Sequence, residues 1–184
     1  MAFDINGALV QTENTALKIT ANSNIGLSTN AQGFVTLSSR PYFIAYSTAG
    51  WIYHAATWLT PVLGSTYVNN GSCYNTTNYQ FTAPVSGTYY FEFSAYWYKN
   101  DSSAATYNHP GFWVNGSSTY RMASQTTAYR LRVRTYYDGN YSADTQVNDV
   151  IYLGAGDYVG VQCYASAGQQ FYGLYSHFTG FLIG

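Results

Sequence analysis

The chain has 184 residues, with seven basic and eight acidic side chains and a formal net charge of −1; that balance excludes an electrostatic grip on nucleic acid or on an anionic membrane surface. Charged residues make up only 8% of it, against 21 Tyr and 17 Gly, so hydroxyls and amides must keep the surface wet and Tyr must sit outside the core as well as within it. No apolar run approaches the roughly 20 residues of a membrane-spanning helix, and Cys73 and Cys163 are too few for a disulfide framework.

The first residues, Met1 to Val10, hold neither a basic region nor a long apolar one, so no secretory signal is expected and the chain should fold in a cytoplasm. Residues 1–40 are rich in Asn, Thr, Ser, Ala and Gly, with Phe3 and Phe34 as their aromatics. Their short alternations, Ala16 to Thr20 and Gly33 to Leu37, bury too little apolar surface to fold alone. An extended N-terminal arm held by sister subunits or by a larger assembly is expected; the alternative is a strand pair packed on its own head.

From Arg40-Pro41 onward the pattern is strands and turns without helical periodicity. Candidate strands are 42–46, 65–68, 79–81, 88–98, 111–114, 128–136, 145–153, 157–164 and 173–183. Turns are expected at Asn69-Asn-Gly71, Asn115-Gly116, Asp138-Gly139 and Gly154-Ala-Gly156, all chemistries that accept positive φ. Strands at this spacing imply a sandwich or barrel.

The strand 88–98 divides into two faces by its period of two. Tyr89, Phe91, Phe93, Ala95 and Trp97 form one side, apolar enough for a core. Tyr90, Glu92, Ser94, Tyr96 and Tyr98 form the other, too aromatic for plain solvent and suited to a subunit interface. Cys163 lies in phase with Val159 and Val161, which makes it a small core residue rather than a bridge partner.

Catalytic chemistry leaves no mark. There is no Gly-x-Ser-x-Gly elbow, phosphate loop, His-Glu-x-x-His or Cys-x-x-Cys pair. His54, His109 and His177 sit in unrelated segments without metal-ligand spacing. No catalytic residue, cofactor or metal is expected. The one charge pattern is Arg130, Arg132 and Arg134, which alternate with Leu131 and Val133 on a single expected strand and so share a face. They would be a solvated edge-protecting face, a subunit interface paired with Asp144 or Asp149 of a neighbour, or a strip for an anionic polysaccharide. Ligand-binding candidates are aromatic-plus-amide clusters taken as loop tips: Tyr107 with His109, Tyr137 with Asn140 and Tyr141, and Gln169 with Tyr172. An aromatic ring there could stack on a sugar while amides bond its hydroxyls.

Four segments carry a family resemblance. Phe81-Thr-Ala-Pro-Val-Ser-Gly-Thr-Tyr-Tyr-Phe91 resembles the signature of the C1q-like domain. Val68-Asn-Asn-Gly-Ser-Cys-Tyr74, Asp149-Val-Ile-Tyr-Leu-Gly-Ala-Gly-Asp-Tyr-Val159 and Phe178-Thr-Gly-Phe-Leu-Ile183 are similar to its loop, late hairpin and closing strand, in the same order. The resemblance covers about residues 40–184 and implies a trimeric jelly roll that binds rather than transforms, with the closing strand, and so Phe181, beside the trimer axis. No collagen-like stalk precedes the head. Residues 99–141 diverge from the family pattern, so no ligand or calcium site carries over.

These readings give an all-β, C1q/TNF-like jelly-roll sandwich of about nine to ten antiparallel strands with an extended N-terminal arm. Residues 1–40 are the anchoring and oligomerisation arm, and residues 41–184 the head. The expected interface residues are Tyr90, Tyr96, Tyr98, Arg130, Arg132, Arg134 and Phe181. A small-polar arm ahead of such a head resembles a bacteriophage virion component in style. The expected role is therefore a non-enzymatic, homotrimeric tail, fibre or capsid-surface knob for display or host-surface adhesion. It would be made in the host cytoplasm and displayed on the particle. Its expected partners are itself, other virion proteins through residues 1–40, and a host-surface glycan or protein, with neither nucleic acid nor membrane insertion. The alternative is a free recognition or lectin-like protein outside a virion.

Overall fold

The computed structural model describes residues 2–5, 8–13, 16–21, 24–29, 35–36, 39–53, 57–99, 106–117, 119–120, 129–130, 135–137, 142–165 and 169–184. The chain divides into two compact units, Met1–Arg40 and Pro41–Gly184.

In the first unit, β1 (Ala2–Ile5), β2 (Ala8–Glu13), β3 (Ala16–Ala21), β4 (Asn24–Thr29) and β5 (Val35–Thr36) pair in sequence order as an antiparallel meander. The segment expected as an extended arm thus pairs with itself. Asn6, Asn14, Asn22 and Asn30 recur every eight residues, and the first three fall between successive strands. Each repeat is one strand plus a connection of Asn and a small residue, a chemistry that suits hairpins.

The second unit is a two-sheet sandwich. The first sheet has the order β17 (Ser142–Leu153), β12 (Gly87–Lys99), β19 (Gln169–Leu182), β6 (Tyr42–Tyr46) and β9 (Ser65–Asn70); β7 (Trp51–Tyr53) continues the β6 edge along β19. The second has the order β10 (Tyr74–Asn75), β11 (Gln80–Thr82), β18 (Tyr158–Ala165), β13 (Thr106–Val114) and β16 (Thr135–Tyr137); β8 (Trp58–Leu59) also pairs with β18. A ribbon of β14 (Thr119–Tyr120) and β15 (Tyr129–Arg130) stands apart. All pairings are antiparallel, and sequence-distant neighbours such as β12 and β19 give the crossed connections of a jelly roll.

Alternation builds the core. Tyr89, Phe91, Phe93, Ala95 and Trp97 are buried along β12, facing Phe112, Val159, Val161 and Cys163 of the second sheet. Phe178 lies among them, its ring centroid 4.8 Å from Phe43 and 5.9 Å from both Phe91 and Phe112. Each fully buried ring of this kind stabilises the fold by about 1.5–3 kcal/mol. One row across β12, β19 and β6 reads Phe91, Gly180, Phe43. A Cβ at Gly180 would stand 2.5 Å from Phe91 Cδ1 and 2.8 Å from Phe43 Cε1, so only glycine lets the two flanking rings close over β19.

The four motif segments of the sequence converge at one end of the sandwich. Thr82 N donates to Cys73 O (2.7 Å), Ala83 N to Asp157 O (2.8 Å), Gly156 N to Ala83 O (2.8 Å), Thr88 N to Gly184 O (2.7 Å) and Ile183 N to Thr88 O (2.7 Å). The Ser86 hydroxyl accepts from Ala155 N (3.0 Å), and Asp157 Oδ2 accepts from Gly154 N (2.8 Å). Asn69 holds the remaining loop by bonding Tyr74 N and O through its side chain. Both cysteines are buried thiols, unbridged.

Some expected boundaries move. The strand expected at 79–81 begins at Gln80, because Tyr79 has φ 60° and closes the preceding turn. β13 starts at Thr106 rather than Gly111 and passes through Pro110, which is tolerated because β16 pairs only as far as Asn108 on that side. Instead of one strand at 128–136, the described residues there belong to β15 and β16, in different sheets. β7, β8 and β10 are too short for any alternation to announce them. Asn115-Gly116 and Gly154-Ala-Gly156 are turns as expected, with φ of 51° at Asn115, 79° at Gly116 and 89° at Gly156; Asp138-Gly139 lies outside the described residues.

Candidate functional site

The outward face of the first sheet carries a concentration of apolar and aromatic side chains. One row crosses four strands as Val150, Tyr90, Phe181 and Tyr42. Tyr90 and Phe181 have ring centroids 5.3 Å apart, and Val150 is 50% exposed. Tyr152 stands on the same face of β17.

Further along β19 the ladder shifts register between Ser94 and Tyr96, and residues 173–176 loop out of it. That irregularity leaves Leu174 and Tyr175 both exposed, Tyr175 by 65%. It also assembles an aromatic trio: Tyr175 lies 5.5 Å from Tyr96 and 4.9 Å from Tyr172, centroid to centroid. The Ser176 hydroxyl steadies the loop by donating to Tyr172 O (2.9 Å) and accepting from Tyr96 N (3.3 Å). Beyond β6, Tyr46 and Tyr67 stack at 4.1 Å.

A polar band separates the two aromatic patches. The Tyr90 hydroxyl donates to Glu92 Oε2 at 2.8 Å, and His177 Nε2 lies 3.8 Å from Glu92 Oε1. Partial burial, then the Glu92 carboxylate, hold the Tyr90 hydroxyl above its ordinary pKa. Thr179 turns its hydroxyl to Phe43 O at 2.9 Å. Seven of the eleven large hydrophobics exposed among the described residues belong to strands of this sheet. Such clustering, with Tyr dominant and charge sparse, has the anatomy of a protein interface core.

The face brings together Tyr90, Tyr96, Tyr98 and Phe181 from the expected interface set. Arg130 lies instead in the β14–β15 ribbon, opposite Thr119, and Arg132 and Arg134 fall outside the described residues. Of the expected ligand residues, Tyr172 joins the aromatic trio on this face and Gln169 begins β19. Tyr107 and Tyr137 lie on β13 and β16 of the other sheet. His109 lies on β13 too, its ring 6.2 Å from Trp58 and 6.0 Å from Tyr164. Asn140 and Tyr141 lie outside the described residues.

Two of the three supposed loop tips are therefore strands. Asn108 is buried and accepts from the Thr145 hydroxyl (3.1 Å), and Phe171 is buried in the core, so both segments alternate in and out. The residues missed on the aromatic face are Tyr42, Val150, Tyr152, Tyr175 and His177. Val150 and Tyr152 could have been found by their phase against Ile151 and Leu153. Tyr175 could not, since an irregularity turned it outward. Among the described residues, no three His, Cys, Asp or Glu side chains gather as a metal site.

An antiparallel two-sheet head with one aromatic outer face defines a jelly-roll domain of the C1q/TNF type. The chain belongs to the C1q domain family, whose model matches residues 43–183. Among solved structures, the globular domain of zebrafish complement 1qA protein is similar at 18% identity and a TM-score of 0.53, covering 78% of this chain and 98% of that one. The Eiger TNF of S. frugiperda is similar at 12% identity and a TM-score of 0.50, covering 79% and 94%. No curated protein matches the chain. Domains of this family are typically non-enzymatic and trimeric.

Proposed function

We propose that this chain is a non-enzymatic, homotrimeric head that displays or adheres, with the outer face of the first sheet as its subunit interface. The observation that carries the reading is the exposed aromatic face itself. A surface with Val150, Phe181 and Tyr175 open to water gains by self-association, and a heterologous contact that closes into a three-membered ring covers it at no new sequence cost. Trimeric display also makes weak single sites sum.

In the same reading, residues 1–40 attach the head to a virion-type assembly such as a tail, fibre or capsid appendage, where partner virion proteins and a host-surface glycan or protein meet it. The eight-residue repeat of Asn6, Asn14, Asn22 and Asn30 supports a fibrous attachment role. The test is the solution mass of the full chain and of residues 41–184 by light scattering. A trimer from both assigns assembly to the head and leaves residues 1–40 for attachment. Trimers only from the full chain would move assembly to residues 1–40. A free recognition protein predicts that removing residues 1–40 changes neither the number of subunits nor binding.

A further inference from the structure

The outer face of the second sheet holds a different kind of site. β18 has two short neighbours on one edge: β11 beside residues 158–160 and β8 beside residues 163–164. Between them Val161 and Gln162 face a break in the ladder. The outward row across β11, β18 and β13 there reads Gln80, Gly160, Trp113. Gly160 has no side chain to fill the space between its two neighbours, so a notch opens, with a cavity volume of about 100 Å³.

The notch is lined by Trp113, Tyr158, Gln80, Gln162, Asn78 and Thr60, over a glycine and valine floor. None of these is charged. The side chains of Asn78, Gln80, Gln162 and Thr60 make no hydrogen bond within the described residues, so their donors and acceptors remain for a ligand. Trp113 is braced by Trp58, in a T-shaped contact at 4.8 Å between ring centroids, and Trp58 lies in turn 5.5 Å from Tyr164. Its ring is therefore a fixed wall, which lowers the ordering cost of binding.

We propose that this notch is a saccharide subsite that takes the edge of one neutral pyranose ring. The indole of Trp113 covers the ring's C–H surface, while the amides of Gln80, Gln162 and Asn78 bond adjacent hydroxyls, each amide offering both donor and acceptor. An uncharged lining desolvates a neutral polyol cheaply and gives a carboxylate or sulfate no counter-charge. The shallow, open shape sets a weak single-site affinity that three copies on one head would multiply. The proposal deepens the reading of this chain as a recognition head and supplies its ligand class.

The test uses the full chain, titrated with the methyl glycosides of glucose, galactose, mannose and N-acetylglucosamine. Saturation-transfer NMR and tryptophan fluorescence report binding, and N-acetylneuraminic acid serves as a charged control. At least one neutral glycoside is expected to bind saturably in the millimolar range, with the charged control far weaker. Trp113→Ala should weaken that binding at least tenfold. Gly160→Val should do the same by filling the notch; the nearest atom to its new Cβ is the flexible Gln80 Cγ at 3.4 Å, so the fold is expected to survive. Absence of saturable binding by any neutral glycoside, or undiminished binding in both variants, would overturn the proposal. Solution mass measured on the same samples keeps the two readings apart: a monomer that still binds the sugar sinks the trimer and leaves the subsite standing.

Discussion

The two outer faces of the sandwich are built from the same alphabet and present opposite kinds of surface. On the first sheet, long strands β12, β17 and β19 run side by side and their outward residues form unbroken rows, Val150–Tyr90–Phe181–Tyr42 among them. On the second sheet, β8, β10 and β11 are two or three residues long, and the ladder beside β18 has a gap. Continuous rows of aromatics make a broad surface that suits another protein. A gap floored by glycine and rimmed by amides makes a small concavity that suits a small polar ligand. Strand length, more than composition, separates a broad aromatic surface from a small concavity here.

The core is what the faces share, so the largest effect should come from breaking it. Phe178→Ala removes the ring that touches Phe43, Phe91 and Phe112, and about 4 kcal/mol of stability should be lost. Denaturant unfolding measures it, and both faces should fail together. If one face kept its function at full strength, the common core would be the wrong picture.

Thiol reactivity probes the same core without mutation. Burial pushes the Cys73 thiol up to about 11 from its ordinary 9.0, and that of Cys163 well above it. A rise of that size leaves Cys73 about 100-fold less thiolate at neutral pH than an ordinary thiol. Labelling with a maleimide at pH 7.5 should therefore be slow at both cysteines until denaturant is added. Rapid modification of Cys163, beneath the second sheet, would mean that this sheet opens locally.

A smaller effect distinguishes the faces. Tyr90→Phe deletes the hydroxyl that donates to Glu92 at 2.8 Å while keeping the ring against Phe181. Because that hydrogen bond lies within one subunit and meets a charged acceptor, its loss should cost about 1–2 kcal/mol of folding stability, read by denaturant unfolding. Glycoside binding on the other face should be unchanged.

The smallest effect is a pH slope. Asp149 stands in phase with the inward residues Val147 and Ile151 on the edge strand β17, and burial raises its pKa above the ordinary 3.8. A carboxyl with a folded pKa above its unfolded one favours the fold in its protonated state. That contribution is complete below pH 3.8 and fades as pH rises through the raised value. Asp149→Asn should flatten the dependence of the melting temperature on pH just above 3.8. An unchanged slope would assign it elsewhere. An inward acid on an edge strand also discourages strand-to-strand aggregation.

Much of the head was legible because its signals are turn chemistry and alternation. Pro84 to Gly87, Gly154 to Asp157 and Phe178 to Ile183 stood out as motifs, and the structure shows them latched to one another by backbone bonds from Ala83, Thr88 and Ile183. The inward and outward faces of β12 followed directly from period two. Where reading failed, the cause was pairing. Tyr107, His109, Gln169 and Tyr172 looked like loop tips because polar and aromatic residues mix there, yet both segments are strands whose inward members, Asn108 and Phe171, are buried. The bulge that exposes Tyr175 and the gap beside Gln162 depend on register between segments far apart in sequence, which no local pattern encodes. In residues 1–40 the eight-residue spacing of Asn6, Asn14 and Asn22, which composition alone does not reveal, falls between the strands of a meander.

The measurement that tests the central claim most directly is sedimentation equilibrium of the full chain beside its Val150→Arg/Phe181→Arg variant. Both substitutions place charge on exposed positions of the aromatic face and leave the core untouched. The wild type should sediment at three times the 20.4-kDa chain mass, and the variant as a monomer with the same circular dichroism. A monomeric wild type, or a variant that remains a trimer, would contradict the assignment of this face as the subunit interface.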